Sequence, residues 1–176
     1  DTPTTAKVVP ATGFAQGVVT DLPQQPAEIV YQPTNLQLQI PAINKEMAII
    51  GVPRTGDSWD VSWLGDNAGY LAGSAFPTWT GNTVLTAHVW DADNDPGPFA
   101  DLKSLKYGDL VKIQAFGSTY TYEVRENQLV TPRNTRAVFQ HEELDWVTLV
   151  TCEYYNPLNQ DYFFRRMVSA VLISVE

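Results

Sequence analysis

Cys152 is the only cysteine among 176 residues, so no disulfide forms within the chain and the side chain is a free thiol. It follows the apolar, β-branched run Trp146-Val147-Thr148-Leu149-Val150-Thr151 and precedes the polar segment Glu153-Tyr154-Tyr155-Asn156-Pro157. That arrangement describes a thiol at the mouth of a strand. His88 closes a second strand-like run, and Arg165 opens a third. A nucleophile, a base and a cation on three strand ends suit acyl transfer through a thioester. A thiolate, not a thiol, attacks an amide, and a neighbouring imidazolium and guanidinium both favour the thiolate. His88 would protonate the departing amine and then serve as base for the incoming one, while a guanidinium would steady the oxyanion.

Each of these residues also has a plainer reading. A free cysteine is often a small buried apolar group. A strand histidine can be satisfied by one hydrogen bond, and His141 in the polar stretch Gln140-His141-Glu142-Glu143 is the other histidine available. Arg166 adjoins Arg165, and successive strand residues face opposite ways, so one of the two looks into a site. The alternation of Phe164, Arg166 and Val168 against Arg165, Met167 and Ser169 does not choose between them.

The elements that must position these groups are mostly strands. Leu36-Gln37-Leu38-Gln39-Ile40 alternates as a half-buried strand does and is stopped by Pro41. Met47–Val52, Asn82–Val89, Leu110–Phe116, Thr119–Val124, Gln128–Thr131, Asp145–Thr151 and Tyr162–Val175 bring the total to about eight, with Gly117-Ser118 read as a two-residue hairpin turn. Trp59, Trp63 and Leu64 lie at near-helical spacing, which predicts a short helix within Asp57–Leu71 capped by Asp57 or Ser58. Phe99, Leu102 and Leu105 predict one or two further helical turns. Many short strands joined by short helices indicate a mainly β fold, barrel or sandwich.

Residues 1–34 differ, with five prolines and no lasting period, and read as an extended tail; residues 35–176 form one domain. A net charge of −9 argues against nucleic acid and against an anionic membrane surface. No stretch approaches the roughly 20 apolar residues of a membrane span, and no signal-peptide pattern opens the chain.

Several ordered segments together resemble the sortases, cysteine transpeptidases that join proteins to the bacterial cell surface or to one another. Thr148-Leu149-Val150-Thr151-Cys152 fits their TLxTC signature, and Gly81–His88 resembles the strand that carries their histidine. Phe99–Asp109 is similar to their F-x-x-L-x-x-L-x-x-G-D stretch, Arg165 falls where their arginine opens the next strand, and Leu38–Ile43 looks like their first strand. The resemblance, from about Leu36 to Glu176, implies a single eight-stranded sortase-type β-barrel with short helices in the connections. It implies Cys152, His88 and Arg165 as the catalytic set, with Thr151 and Ala87 beside the substrate; Ala87 stands where Gly is often found. Cys152 would cleave the Thr–Gly bond of an LPxTG-like sorting signal on a surface protein. The acyl group would pass to an amine of a cell-wall precursor or a protein lysine, at the extracellular face of a bacterial cell. A thiol hydrolase on the same scaffold and a non-catalytic barrel module of a surface protein are the alternative readings.

No cofactor or metal is expected. Asp91-x-Asp93-x-Asp95 begins like a calcium-binding EF-hand loop, but Pro96 replaces the obligatory Gly and Leu102 the bidentate Glu. The tail contains Val9-Pro10-Ala11-Thr12-Gly13, which is LPxTG with Val for Leu. It is a candidate cis sorting signal. An extended chain covers roughly 3.3 Å per residue, long enough to reach the domain, and tethering raises its effective concentration to about the millimolar range.

Overall fold

A computed structural model describes residues 11–140 and 143–176; Val9, Pro10 and His141 lie outside the described residues. The chain forms β1 (Gln32–Ile40), β2 (Lys45–Val52), β3 (Arg54–Thr55), β4 (Ser58–Trp59), β5 (Ala68–Leu71), β6 (Asn82–Thr86), β7 (Leu110–Ala115) and β8 (Ser118–Val130). A one-turn helix α1 (Thr135–Phe139), β9 (Trp146–Asn156) and β10 (Asp161–Val175) complete it. Eight strands close into a barrel in the order β1-β2-β5-β6-β9-β10-β8-β7, and β3 with β4 makes a separate two-stranded ribbon. Closure leaves the barrel without an unpaired edge strand among the described residues, so the mainly β, eight-stranded expectation holds.

The alternation in β1 works as its pattern predicts. Leu36, Leu38 and Ile40 are buried and the intervening glutamines are not. Each such side chain, taken from water, contributes about 1.5–3 kcal/mol. Two strand pairs are parallel, β2–β5 and β6–β9. The β6–β9 pair is covered on both faces, as parallel strands usually are. Leu85, Val147 and Leu149 point into the barrel core with Leu38, Ile49, Phe99 and Val168. Val84 and Val150 point outward into a second apolar cluster with Trp59, Leu64, Leu71, Val138 and Met167.

That outer cluster explains why the helix expected within Asp57–Leu71 does not form. Trp59, Val61 and Leu64 are all buried, and the Trp59 indole donates to the Ala72 carbonyl at 2.9 Å and stacks on Phe139. Asp60 accepts from the Ser62 N–H at 3.1 Å, a local turn that competes with helical bonding. The segment is therefore β4 and a series of turns, laid as a cap over β5 and β6. Two smaller differences lie in the backbone. The β7–β8 turn is Phe116-Gly117, both at positive φ, one residue earlier than expected. Gln128–Thr131 is not a separate strand, because β8 runs on to Val130 beside β10 through a register shift between Ser169 and Ala170.

Candidate active site

The outer row of side chains on the β6–β9–β10 sheet leads to the site. β6 stops pairing at Thr86, opposite Val150, while β9 and β10 continue past the barrel rim as a hairpin. Cys152 therefore lies at the rim although its strand runs on to Asn156; the strand extends because β10 accompanies it. Val150 and Met167 belong to the outer cluster, and two residues beyond each stand Cys152 and Arg165, which are direct cross-strand partners. Continuing the β6–β9 register by two residues past Thr86 sets His88 abreast of Cys152. The Thr151 hydroxyl holds that continuation by donating to the Ala87 carbonyl at 2.8 Å.

The alternation thus separates the two arginines. Arg165 is buried, 2% exposed, and its Nη1 donates to the carbonyls of Tyr162 (3.2 Å) and Phe164 (3.1 Å), which aim the guanidinium along the rim. Arg166 takes the opposite face and forms a two-pronged ion pair with Glu153, at 2.6 and 2.8 Å. Ala87 turns its methyl into the barrel core, so it contributes a carbonyl to the site's frame and no side chain. Gly97 packs so closely on His88 that a Cβ there would sit 2.3 Å from the His88 carbonyl oxygen. The same carbonyl accepts from the Phe99 N–H at 3.1 Å. These backbone contacts fix the histidine where β6 no longer does.

The tail lies against the sulfur and the imidazole. Thr12 is fully buried. Its N–H points at Cys152 Sγ from 3.1 Å, and its hydroxyl lies 3.5 Å from the same sulfur and 3.3 Å from the Thr151 hydroxyl. Its carbonyl accepts from the Val89 N–H at 2.9 Å. One residue on, a Cβ on Gly13 would meet Val89 Cγ1 at 2.7 Å and the Tyr162 hydroxyl at 3.1 Å, so a side chain there must displace something. Phe14 then covers the His88 ring at a centroid distance of 4.9 Å, and the Tyr162 hydroxyl donates to the Phe14 carbonyl at 2.8 Å. The acidic loop grips the tail from Phe14 to Thr20. Phe14 N–H donates to the Trp90 carbonyl (3.3 Å), Gly17 N–H to Asn94 Oδ1 (2.5 Å) and Thr20 N–H to the Ala92 carbonyl (2.7 Å). Asp91 spends its own carboxylate on the N–H groups of Asp93 and Asp95.

Burial sets the electrostatics. It pushes the Cys152 thiol above its ordinary value, against the opposing pull of Arg165 and the Thr12 bonds. It pushes the His88 imidazole down, partly offset by the carbonyls of Thr12, Ser62 and Val61 and by Asp91. Neither ring nitrogen of His88 has a hydrogen-bond partner within normal distance among the described residues. With the tail seated, burial therefore disfavours the charged form of both groups.

Val89, Tyr162 and Phe14 are the participants the residue types alone did not reveal. Val89 acts through its backbone N–H, which no sequence pattern reports. Tyr162, in Tyr162-Phe163-Phe164 just before Arg165, reads as a plain β-former, and Phe14 as an isolated aromatic in a tail.

The sortase-domain family model matches residues 38–173, well over half of the chain. Among solved structures, the chain is similar to a lid mutant of sortase A from Corynebacterium diphtheriae, with TM-score 0.68 and 27% identity over 85% of this chain and 75% of that one. Sortase C-1 from Actinomyces oris matches with TM-score 0.65 and 27% identity, covering 81% of this chain and 75% of that one. The pilus-related sortase C of Group B Streptococcus matches with TM-score 0.62 and 28% identity, covering 85% and 70%. Among curated proteins none matches the chain.

Proposed function

Because the chain belongs to the sortase family and is therefore a cysteine transpeptidase, we propose that Cys152, His88 and Arg165 carry out its reaction on an LPxTG-like sorting signal. Cys152 attacks the Thr carbonyl, His88 gives its proton to the departing Gly amine, and Arg165 steadies the oxyanion. An amine of a cell-surface acceptor, a cell-wall precursor or a protein lysine, then resolves the thioester at the extracellular face of the cell. The family acts on surface proteins that bear sorting signals; among the described residues no helix is long and apolar enough to cross a membrane.

One observation carries the reading. A Thr-Gly peptide lies across the rim, with the Thr12 N–H 3.1 Å from Cys152 Sγ and a glycine next, where a Cβ would lie 2.7 Å from Val89 Cγ1, and this supports a Thr–Gly scissile bond. Thr151, bonded to both Thr12 and Ala87, lines the subsite for that Thr.

Incubation with LPxTG-like peptides and a set of amines, with mass spectrometry of the products, tests the proposal. Ligated product is expected from the wild type, with loss of turnover in Cys152→Ala and His88→Ala. Free acid as the sole product at saturating amine would make the enzyme a hydrolase instead, and full turnover by His88→Ala would refute the assigned acid.

A further inference from the structure

We propose that the protein cuts its own tail: the Thr12–Gly13 bond is an intramolecular acyl donor for Cys152. The proposal rests on the thioester chemistry of Cys152 and His88 and adds a substrate that the chain itself supplies.

Three features of the seated tail go beyond mere occupancy. The sulfur touches the amide nitrogen of Thr12, two bonds from the carbonyl carbon it would attack. That carbonyl is already polarised by the Val89 N–H at 2.9 Å, the kind of donor that stabilises charge developing on oxygen. The residue on the departing side is glycine, at a position where a Cβ would lie 2.7 Å from Val89 Cγ1. Together these contacts set the Thr12–Gly13 bond near the sulfur, with a donor on its carbonyl and a glycine on the departing side.

The step balances within the chain. As sulfur bonds to the Thr12 carbonyl carbon, the thiol proton passes to His88. As the Thr12–Gly13 C–N bond breaks, His88 gives that proton to the Gly13 nitrogen. The products are a thioester between Thr12 and Cys152 and a chain that begins with the amine of Gly13.

That new amine does not leave. Phe14 remains bonded to Trp90 and Tyr162, and residues Gly17 and Thr20 to the acidic loop. Held at the site, the Gly13 amine has a local concentration of about millimolar or more and re-forms the peptide bond. Without a competing nucleophile the chain stays mostly intact; a strong external amine diverts the thioester and makes the cut visible. The acidic loop, which lacks the EF-hand pattern, acquires a role as the clamp on the departing side.

The test uses the full chain incubated with hydroxylamine at neutral pH and read by intact-mass spectrometry. The expected products are a chain beginning at Gly13 and a fragment ending in the Thr12 hydroxamate, both absent from Cys152→Ala. Gly13→Ala, which must displace Val89 Cγ1 to seat, should lose the cut. In the same tubes a synthetic peptide of residues 6–17 is offered in trans, and Gly13→Ala should cleave it between Thr and Gly several-fold faster than the wild type does, because its site is open. A wild-type tail that stays whole while this peptide or an LPxTG peptide is turned over would overturn the self-cleavage and leave the transpeptidase assignment standing. Failure of every peptide in both chains would overturn the two together.

Discussion

Arg165 and Arg166 are neighbours in sequence and opposites in structure, so they separate chemistry from scaffolding at a single site. Arg165→Ala removes the cation beside the sulfur and should lower kcat/KM by about 10²–10³-fold, read at temperatures where the variant is folded, because the buried guanidinium also satisfies the Tyr162 and Phe164 carbonyls. Arg166→Ala instead leaves Glu153 without its two-pronged partner. It should cost about 2 kcal/mol in stability and keep near-normal turnover of peptide at temperatures where it is folded. Steady-state kinetics beside urea titrations distinguish the two, and equal kinetic losses in both variants would count against the assignment. This distinction was not legible from the alternation of residues 164–169, which gives two faces and not their sense. The resemblance to the family position favours Arg165; the cross-strand pairing with Cys152 supplies a physical reason for that choice.

At the scale of elements, the tail and the rim form a pair whose closure is coupled to protons. With the tail seated, burial holds the Cys152 thiol above its ordinary value and the His88 imidazole below its own. Below the ordinary imidazole value of about 6.5 the open form gains a proton that the closed form resists, so acid favours opening. Above the ordinary thiol value of about 8.5 the open form loses a proton that the closed form retains, so alkali favours opening as well. Asp91 beside the imidazole, and Arg165, Asp161 and Tyr162 beside the thiol, are the other ionisable groups facing the pair. The protection factor of the Val89 amide, which donates to Thr12, should therefore peak between those two values. Cys152→Ala should lose the alkaline limb and keep the acid one; a flat profile in the wild type would contradict the coupling. The sequence placed the LPxTG-like stretch within reach of the domain but could not show its Thr12-Gly13 end seated, since seating depends on backbone donors and acceptors at Val89, Trp90 and Ala92. The short helix α1 escaped notice for a related reason. Five residues capped by Asn134, which accepts from the Ala137 N–H at 3.2 Å, are too few to display a period.

At the scale of the whole molecule, one buried amide ties the barrel to its outer layer. Asn82 is 4% exposed; it donates to the carbonyls of Val138 and Gln140 and accepts from the Thr148 hydroxyl at 2.8 Å. Asn82→Ala orphans these groups and should cost about 2–3 kcal/mol, a fall in Tm of roughly 4–10 °C for a domain of this size. Differential scanning calorimetry checks it, and an unchanged Tm would show that water replaces the amide at no cost. The barrel itself was readable because each strand carries its own two-residue period. The outer layer was not, because Trp59, Val61 and Leu64 look helical until the sheet they cover is known.

The parallel pairing of β6 with β9 has a consequence for the order in which the enzyme comes alive. Its partners are separated by about 64 residues, and long-range contacts form late because a large loop must be closed first. Histidine and cysteine meet only across that contact, and the arginine arrives on a strand made later still. An emerging polypeptide thus carries a harmless thiol until its barrel can close. On the proposed assignment, reactivity follows completion of the sheet, and the tail, synthesised ahead of every strand, precedes the site it covers.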